Sequence, residues 1–225
     1  MIFDTKRHPK TELFLRKAVR ELSQADPVLA GLIRQVGPCK LGMRRRNGYF
    51  RSLVEAILYQ QLTAKAAESI LARFRALYPS RSFPTAEGID RTPGSQLRAA
   101  GISSQKISYL KDLSRLTLNG SFPLRRVSLL EDEEVIRHLC QVKGIGRWTA
   151  EMFMIFTLGR PDVLPASDLG IQKAVQRLYG MKTLPSPQAL EHFGERWKPY
   201  RSVAAWYLWA GTDGNALGRP QPPAP

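Results

Sequence analysis

A chain of 225 residues with 43% apolar side chains can bury a sizeable core, either as one domain or as two lobes sharing a cleft. Its 34 Lys and Arg against 19 Asp and Glu leave a net charge of +15, scattered through foldable segments, which points to a polyanionic partner: nucleic acid first, an anionic membrane surface second. No apolar run approaches the roughly 20 residues a spanning helix needs, and the opening MIFDTKRHPK lacks a signal peptide's hydrophobic stretch. The cysteines, Cys39 and Cys140, are too few for a four-thiolate zinc or iron-sulfur site and are expected to be buried thiols.

In chain order the pattern is helix after helix. Thr11 to Leu22 is amphipathic, and Asp26 before Pro27 is a cap with proline at the first helical position, opening a helix that stops at Gly37 and Pro38. The loop CKLGMRRRNGYF carries Lys40, Arg44, Arg45 and Arg46, a charge run that reads as a solvated loop, and then Tyr49 and Phe50, which either line a pocket or anchor the next helix. Ser52 to Gln60 is helical, and Thr63 caps a further helix that faces the core with Ala67, Ile70, Leu71, Phe74 and Leu77. Gln60, Gln61 and Leu62 fall in the short link between them. Their glutamines either bridge helix ends, or one of them projects into the gap left when a nucleotide leaves a duplex.

Pro79 to Pro93 reads as a proline-dotted connection, followed by a short helix closed by Gly101 and another capped by Ser103 or Ser104. Ser128 and Glu131 form a capping box for the helix holding Val135, Ile136 and Leu139. Then comes a glycine hairpin, KGIG, and a helix from Arg147 to Leu158 that is apolar nearly all round and therefore buried. Gly144 and Gly146 allow a tight turn and close approach of another molecule, and the following helix N-terminus suits one phosphate without reading sequence. Alone, such a corner reads first as a packing device. Asp168 opens the next helix and by itself is explained as an N-cap. Ser186 and Pro187 open another helix, and SVAAWYLWAG ends the folded chain with a tryptophan-rich stripe that reads as core. The tail, 219–225, is expected to be disordered. With no sustained alternation of β-branched residues, the fold class is all-α.

AILYQQLTAKAAESI, GISSQKISYLKDL and VKGIGRWTAEMFMIFTLGRPDVLPASDLGIQKAV together resemble the helix-hairpin-helix DNA glycosylases with a Gly/Pro-rich loop and an essential aspartate. Within that superfamily they are most similar to the 3-methyladenine DNA glycosylase II group, over about Asp26 to Gly211. The resemblance implies two helical lobes with a DNA-binding cleft between them: residues 1–48 with 159–218, carrying Asp168, and residues 49–158, carrying the hairpin. It implies a monofunctional enzyme of base excision repair that flips alkylated purines out of double-stranded DNA and hydrolyses the N-glycosidic bond. Asp168 matches the catalytic aspartate, a carboxylate that stabilises an oxocarbenium ion and activates water. Trp148 and Trp209 match aromatic pocket positions suited to a cationic base, with Tyr49, Phe50 and Met152 as further pocket candidates. Strand-cutting members carry a lysine at the position of Trp148.

The resemblance further implies Gln61 as the wedge, and Lys143, Gly144, Gly146, Arg147, Thr149, Ser104 and Lys106 as DNA-backbone contacts. The carbonyls of Cys140, Val142 and Ile145 correspond to those that hold a structural sodium or magnesium ion. No cofactor for catalysis and no iron-sulfur cluster are expected, and the protein is expected to be a cytoplasmic, nucleoid-associated monomer with no membrane partner. The chain departs from some relatives in leaving no room for an N-terminal β domain. It also has Met152 and Leu169 where they place tyrosines, which opens the pocket to other damaged bases. The alternatives are an inactive helix-hairpin-helix DNA-binding protein, which needs neither Asp168 nor the tryptophans, and a glycosylase for oxidised bases.

Overall fold

The computed structural model describes residues 9–42, 48–79, 83–124 and 126–212. Arg44, Arg45, Arg46 and the tail expected at 219–225 lie outside them. Among the described residues every regular element is helical, and no helix is long and apolar enough to cross a membrane. Two compact units result: residues 9–42 with 159–212, and the described residues between 48 and 158.

The first unit holds α1 (Pro9–Ala25), α2 (Pro27–Val36), α10 (Leu169–Leu178), α11 (Pro187–Phe193) and α12 (Arg201–Thr212). Its centre is α12, where Ser202, Val203, Ala204, Ala205, Tyr207 and Leu208 are all fully buried. A helix apolar on every face has to be enclosed by others, and α1, α2 and α10 all touch it. The buried polar groups of this unit are satisfied. The Ser202 hydroxyl donates to the Arg160 carbonyl (2.7 Å) and accepts the Val163 N–H (3.0 Å), while the Tyr207 hydroxyl donates to the Gly37 carbonyl (3.0 Å). Asp26 caps α2 through the Val28 and Leu29 N–H groups, and its other oxygen accepts from the Tyr179 hydroxyl (2.6 Å) and the Trp197 indole (2.9 Å).

The second unit holds α3 (Tyr49–Tyr59), α4 (Ala64–Ala76), α5 (Ala86–Arg91), α6 (Gly94–Ala99), α7 (Ser104–Leu118), α8 (Asp132–Leu139) and α9 (Arg147–Phe153). Its core is built on Leu53, Val54, Ile57 and Leu58 of α3, Phe74 of α4, Leu110 and Leu113 of α7 and Val135 and Leu139 of α8, all fully buried.

Several expectations are corrected. The stretch from Pro79 to Pro93 contains α5, because Thr85 caps it by accepting the Gly88 N–H (3.2 Å) and Ile89 is buried completely. Helix α3 begins at Tyr49, so Tyr49 and Phe50 form its first turn. The α8 box uses Glu131 in place of Ser128: the Glu131 N–H donates to the Glu134 carboxylate (3.3 Å), and Ser128 lies in a 3-10 turn, Val127–Leu129, whose Val127 is buried. Helix α9 is not one α-helix to Leu158. It widens into a π turn over Met154–Leu158, a change of hydrogen-bond pattern that side-chain periodicity does not announce. Cys39 is buried, but Cys140 is exposed because it ends α8 at the surface corner leading to the hairpin.

Candidate active site and glycine hairpin

Asp168 enters α10 from a sequence of tight turns: the Ala166 N–H donates to the Leu164 carbonyl (2.8 Å) and the Asp168 N–H to the Pro165 carbonyl (2.9 Å). The buried Gln172 amide, one turn into α10, reaches back to the Ala166 carbonyl (2.8 Å) and fixes the loop from the other side. Asp168 is the N-cap, as its position suggests, with Oδ1 accepting the Ile171 N–H at 2.8 Å. The same oxygen accepts the Trp209 indole N–H at 3.0 Å. Together these two bonds orient a carboxylate that is only 7% exposed. Gly170 leaves the space: a Cβ there would stand 3.0 Å from Asp168 Oδ1 and 3.6 Å from Trp209 Cδ1. Trp209 itself is buried, 6% exposed. Gly170, Gln172 and the hydrogen bond from Trp209 to Asp168 were not read from the sequence.

The second unit carries the other candidates. Trp148 is half-buried in the first turn of α9, and Met152 is buried one turn on. Tyr49 of α3 meets Phe153 of α9 edge-on, ring centroids 6.0 Å apart, and Phe50 is half-buried beside it in sequence. The pocket candidates of this unit therefore sit on two helices that touch.

The hairpin between α8 and α9 turns through Gly144 at φ +79°, where a Cβ would collide with the Tyr109 ring. Val142 and Ile145 are buried and close the turn, with the Ile145 N–H donating to the Val142 carbonyl (3.0 Å). Lys143, Gly144 and Gly146 are exposed, and a Cβ at Gly146 would meet nothing within 4 Å. Thr149 is buried. The Arg147 guanidinium is held by Glu133 (2.8 Å) and Glu151 (3.1 Å), so its side chain already carries carboxylate partners.

The two glutamines of the α3–α4 link part company. The Gln60 amide donates to the Gly144 carbonyl (2.8 Å) and bridges to the hairpin, whereas Gln61 is exposed at φ +56°. Among the described residues it is the one non-glycine residue with positive φ. Such a conformation costs a side-chain-bearing residue about 1 kcal/mol or more, and it turns the Gln61 backbone sharply out of the helix path. Ser104 is exposed at the start of α7. The Lys106 ammonium donates to the carbonyls of Leu58 (2.8 Å), in the last turn of α3, and Gln60 (2.6 Å), just past its end. Burial draws its pKa below the ordinary lysine value. The Cys140 thiol is pushed up, chiefly by desolvation.

The architecture is shared by known proteins. DNA-3-methyladenine glycosylase 1 of Schizosaccharomyces pombe is 36% identical over 212 residues, covering 93% of this chain and 92% of its own. The solved structure of the S. pombe 3-methyladenine DNA glycosylase Mag1 in complex with abasic DNA superposes with a TM-score of 0.77, covering 90% of this chain and 100% of that one. A DNA-3-methyladenine glycosidase structure from Bacillus halodurans, 35% identical, gives 0.79 over 87% of this chain and 89% of its own. A family model matches residues 54–199, and with the relatives above it shows that this chain belongs to the HhH-GPD superfamily of base excision DNA repair proteins.

Proposed function

We propose that the protein is a monofunctional DNA glycosylase that takes an alkylated purine out of duplex DNA and hydrolyses its N-glycosidic bond, with Asp168 as the catalytic residue. The observation that carries this reading is the buried Asp168 carboxylate held by two N–H groups on one oxygen. The names of the relatives, DNA-3-methyladenine glycosylase and glycosidase, support the substrate class. As the bond from C1′ to the base nitrogen breaks, its electron pair leaves with the base and positive charge grows on the sugar. A fixed carboxylate stabilises that charge without reorganising and orients the water that adds to C1′, whose proton passes to the carboxylate or to solvent. Alkylation at N3 or N7 makes the base cationic, so it departs without a second acid. Trp148 replaces the amine that a Schiff base would need, which favours simple hydrolysis, and aromatic faces attract a cationic base.

Gln61 is the proposed wedge, supported by its exposure and backbone conformation. The exposed Lys143, Gly144 and Gly146 are the proposed phosphate contacts, and for Arg147 and Thr149 the contact is through the main chain. The carbonyls of Cys140, Val142 and Ile145 would hold a sodium or magnesium ion beside the phosphate. Neutral carbonyl oxygens suit a hard cation, and the Val142 carbonyl keeps a lone pair after accepting the Ile145 N–H. Such an ion would neutralise phosphate charge. The protein is proposed to work as a cytoplasmic, nucleoid-associated monomer.

The test compares wild type with Asp168→Asn on methylating-agent-treated duplex DNA, measuring released methylpurines and alkali-sensitive sites. Asparagine can still cap α10. Release by wild type, with binding but no release by the variant, upholds the reading. Binding without release by both proteins makes the chain a DNA-binding module.

A further inference from the structure

The segment GISSQKISYLKDL has no place in the chemistry above, yet helix α7 presents a row of its residues to both DNA-facing elements of its unit. Lys106 clamps the end of α3 through the Leu58 and Gln60 carbonyls. Tyr109, one turn on, fills the space beside Gly144 and is itself held by the Gln105 amide (2.6 Å). Asp112, a further turn on, accepts the Lys143 N–H at 2.8 Å. Residues three apart on a helix share a face, so one rigid stripe touches the Gln60–Leu62 link and the Lys143–Gly146 hairpin together. The Gln60 amide closes the circuit by donating directly to the Gly144 carbonyl.

From this we infer that Lys106, Tyr109, Asp112 and Gln60 are positioning residues that hold Gln61 at a fixed distance from the hairpin, so that gripping the phosphate and entering the base stack become one event. The inference rests on the proposed wedge role of Gln61. The clamp works by where its donors sit. A charge-assisted pair of bonds at the carbonyl end of α3 sets how the chain leaves the helix, and the residue reached three positions after Leu58 is Gln61 itself.

The experiment uses the full chain with Gln61→Ala, Lys106→Met, Gln60→Met and the double variants with Gln61→Ala. The Gln60 amide bond is at the surface, so Gln60→Met keeps the test alive should Lys106→Met unfold. Two quantities are read. One is the affinity for a duplex containing a tetrahydrofuran abasic analogue relative to the undamaged duplex. The other is the fluorescence of 2-aminopurine opposite the analogue, which reports side-chain entry into the stack. The expected result is that Lys106→Met and Gln60→Met each lower the affinity ratio roughly tenfold or more, and that adding Gln61→Ala lowers it no further. Unchanged ratios in the positioning variants, or losses that multiply with that of Gln61→Ala, overturn the coupling and leave the wedge standing. A Gln61→Ala protein with wild-type fluorescence overturns the wedge and the coupling together. Release of methylpurines by wild type in parallel keeps both outcomes separate from failure of the glycosylase reading.

Discussion

Trp209 donates its indole N–H to Asp168 Oδ1 at 3.0 Å, the same oxygen that accepts the Ile171 N–H. A tryptophan at the end of the folded chain thus orients the carboxylate on which the proposed chemistry depends. Trp209→Phe keeps an aromatic ring but removes the donor and part of the buried ring volume, so its melting temperature is read beside its rate. A hydrogen bond to a charged group contributes roughly 1.5–3 kcal/mol, so the single-turnover rate of base release should fall roughly ten- to a hundredfold if that bond matters at the transition state. Rapid-quench measurement at saturating enzyme checks this, and a wild-type rate would limit Trp209 to packing.

Gly170 separates activity from stability. In the first turn of α10, alanine is a better helix former by about 1 kcal/mol, so Gly170→Ala should melt no lower than wild type. Its Cβ, however, would stand 3.0 Å from Asp168 Oδ1, closer than side-chain contacts usually permit, and the carboxylate has to yield by a few tenths of an ångström. The expected outcome is a stable protein with release slowed several-fold, read by calorimetry and single-turnover kinetics together. A stable variant with full activity would mean that the site tolerates that displacement.

The first unit contains a second buried, helix-capping aspartate bound to a tryptophan, Asp26, which serves as its control. Burial pushes the Asp26 carboxyl up, but the Leu29 N–H, the Tyr179 hydroxyl, the Trp197 indole and the Arg196 charge outweigh it and hold its pKa below the ordinary 3.8. A depressed folded-state pKa contributes stability that is fully present above the unfolded value and is lost as pH falls through the folded one. Asp26→Asn should therefore cost about 1–3 kcal/mol at neutral pH, and its melting temperature should begin to converge on wild type only as pH falls below the unfolded value of 3.8, meeting it once pH is below the folded-state pKa. A gap that stays constant from neutral to acid conditions would show that charge on Asp26 is not what its partners stabilise.

Local signals were legible where one short stretch decides them. Asp26 before Pro27, Thr63, Ser103 and Ser186 all cap the helices their sequence suggests, because a cap needs only the next three residues. Ser128 failed because both Ser128 with Glu131 and Glu131 with Glu134 have capping-box spacing, and burial of Val127 chose between them. Helix α5 was hidden because six residues between two prolines hold too little periodicity. The site was legible only in part for a different reason: its orienting contacts are long-range. Asp168 by itself reads as an N-cap and is singled out only by its match to the family motif, and its bond to Trp209 spans 41 positions while that of Gln60 to Gly144 spans 84. No local pattern encodes either. Two adjacent glutamines with opposite tasks, one tied inward and one turned outward, differ only in what the fold brings to them.

The enclosure of α12 on every face gives the two units different histories during synthesis. The unit built on α3 to α9 is one continuous stretch and can form as soon as it leaves the ribosome, since domains tend to fold as units in the order they emerge. The other needs both α1 and α12: the sides of α1 and α2 that pack on α12 have no partner there until Arg201–Thr212 has been made. Until α12 has been made, Asp168 lacks the indole that donates to it, and a nascent or prematurely ended chain can carry the hairpin without a finished aspartate site.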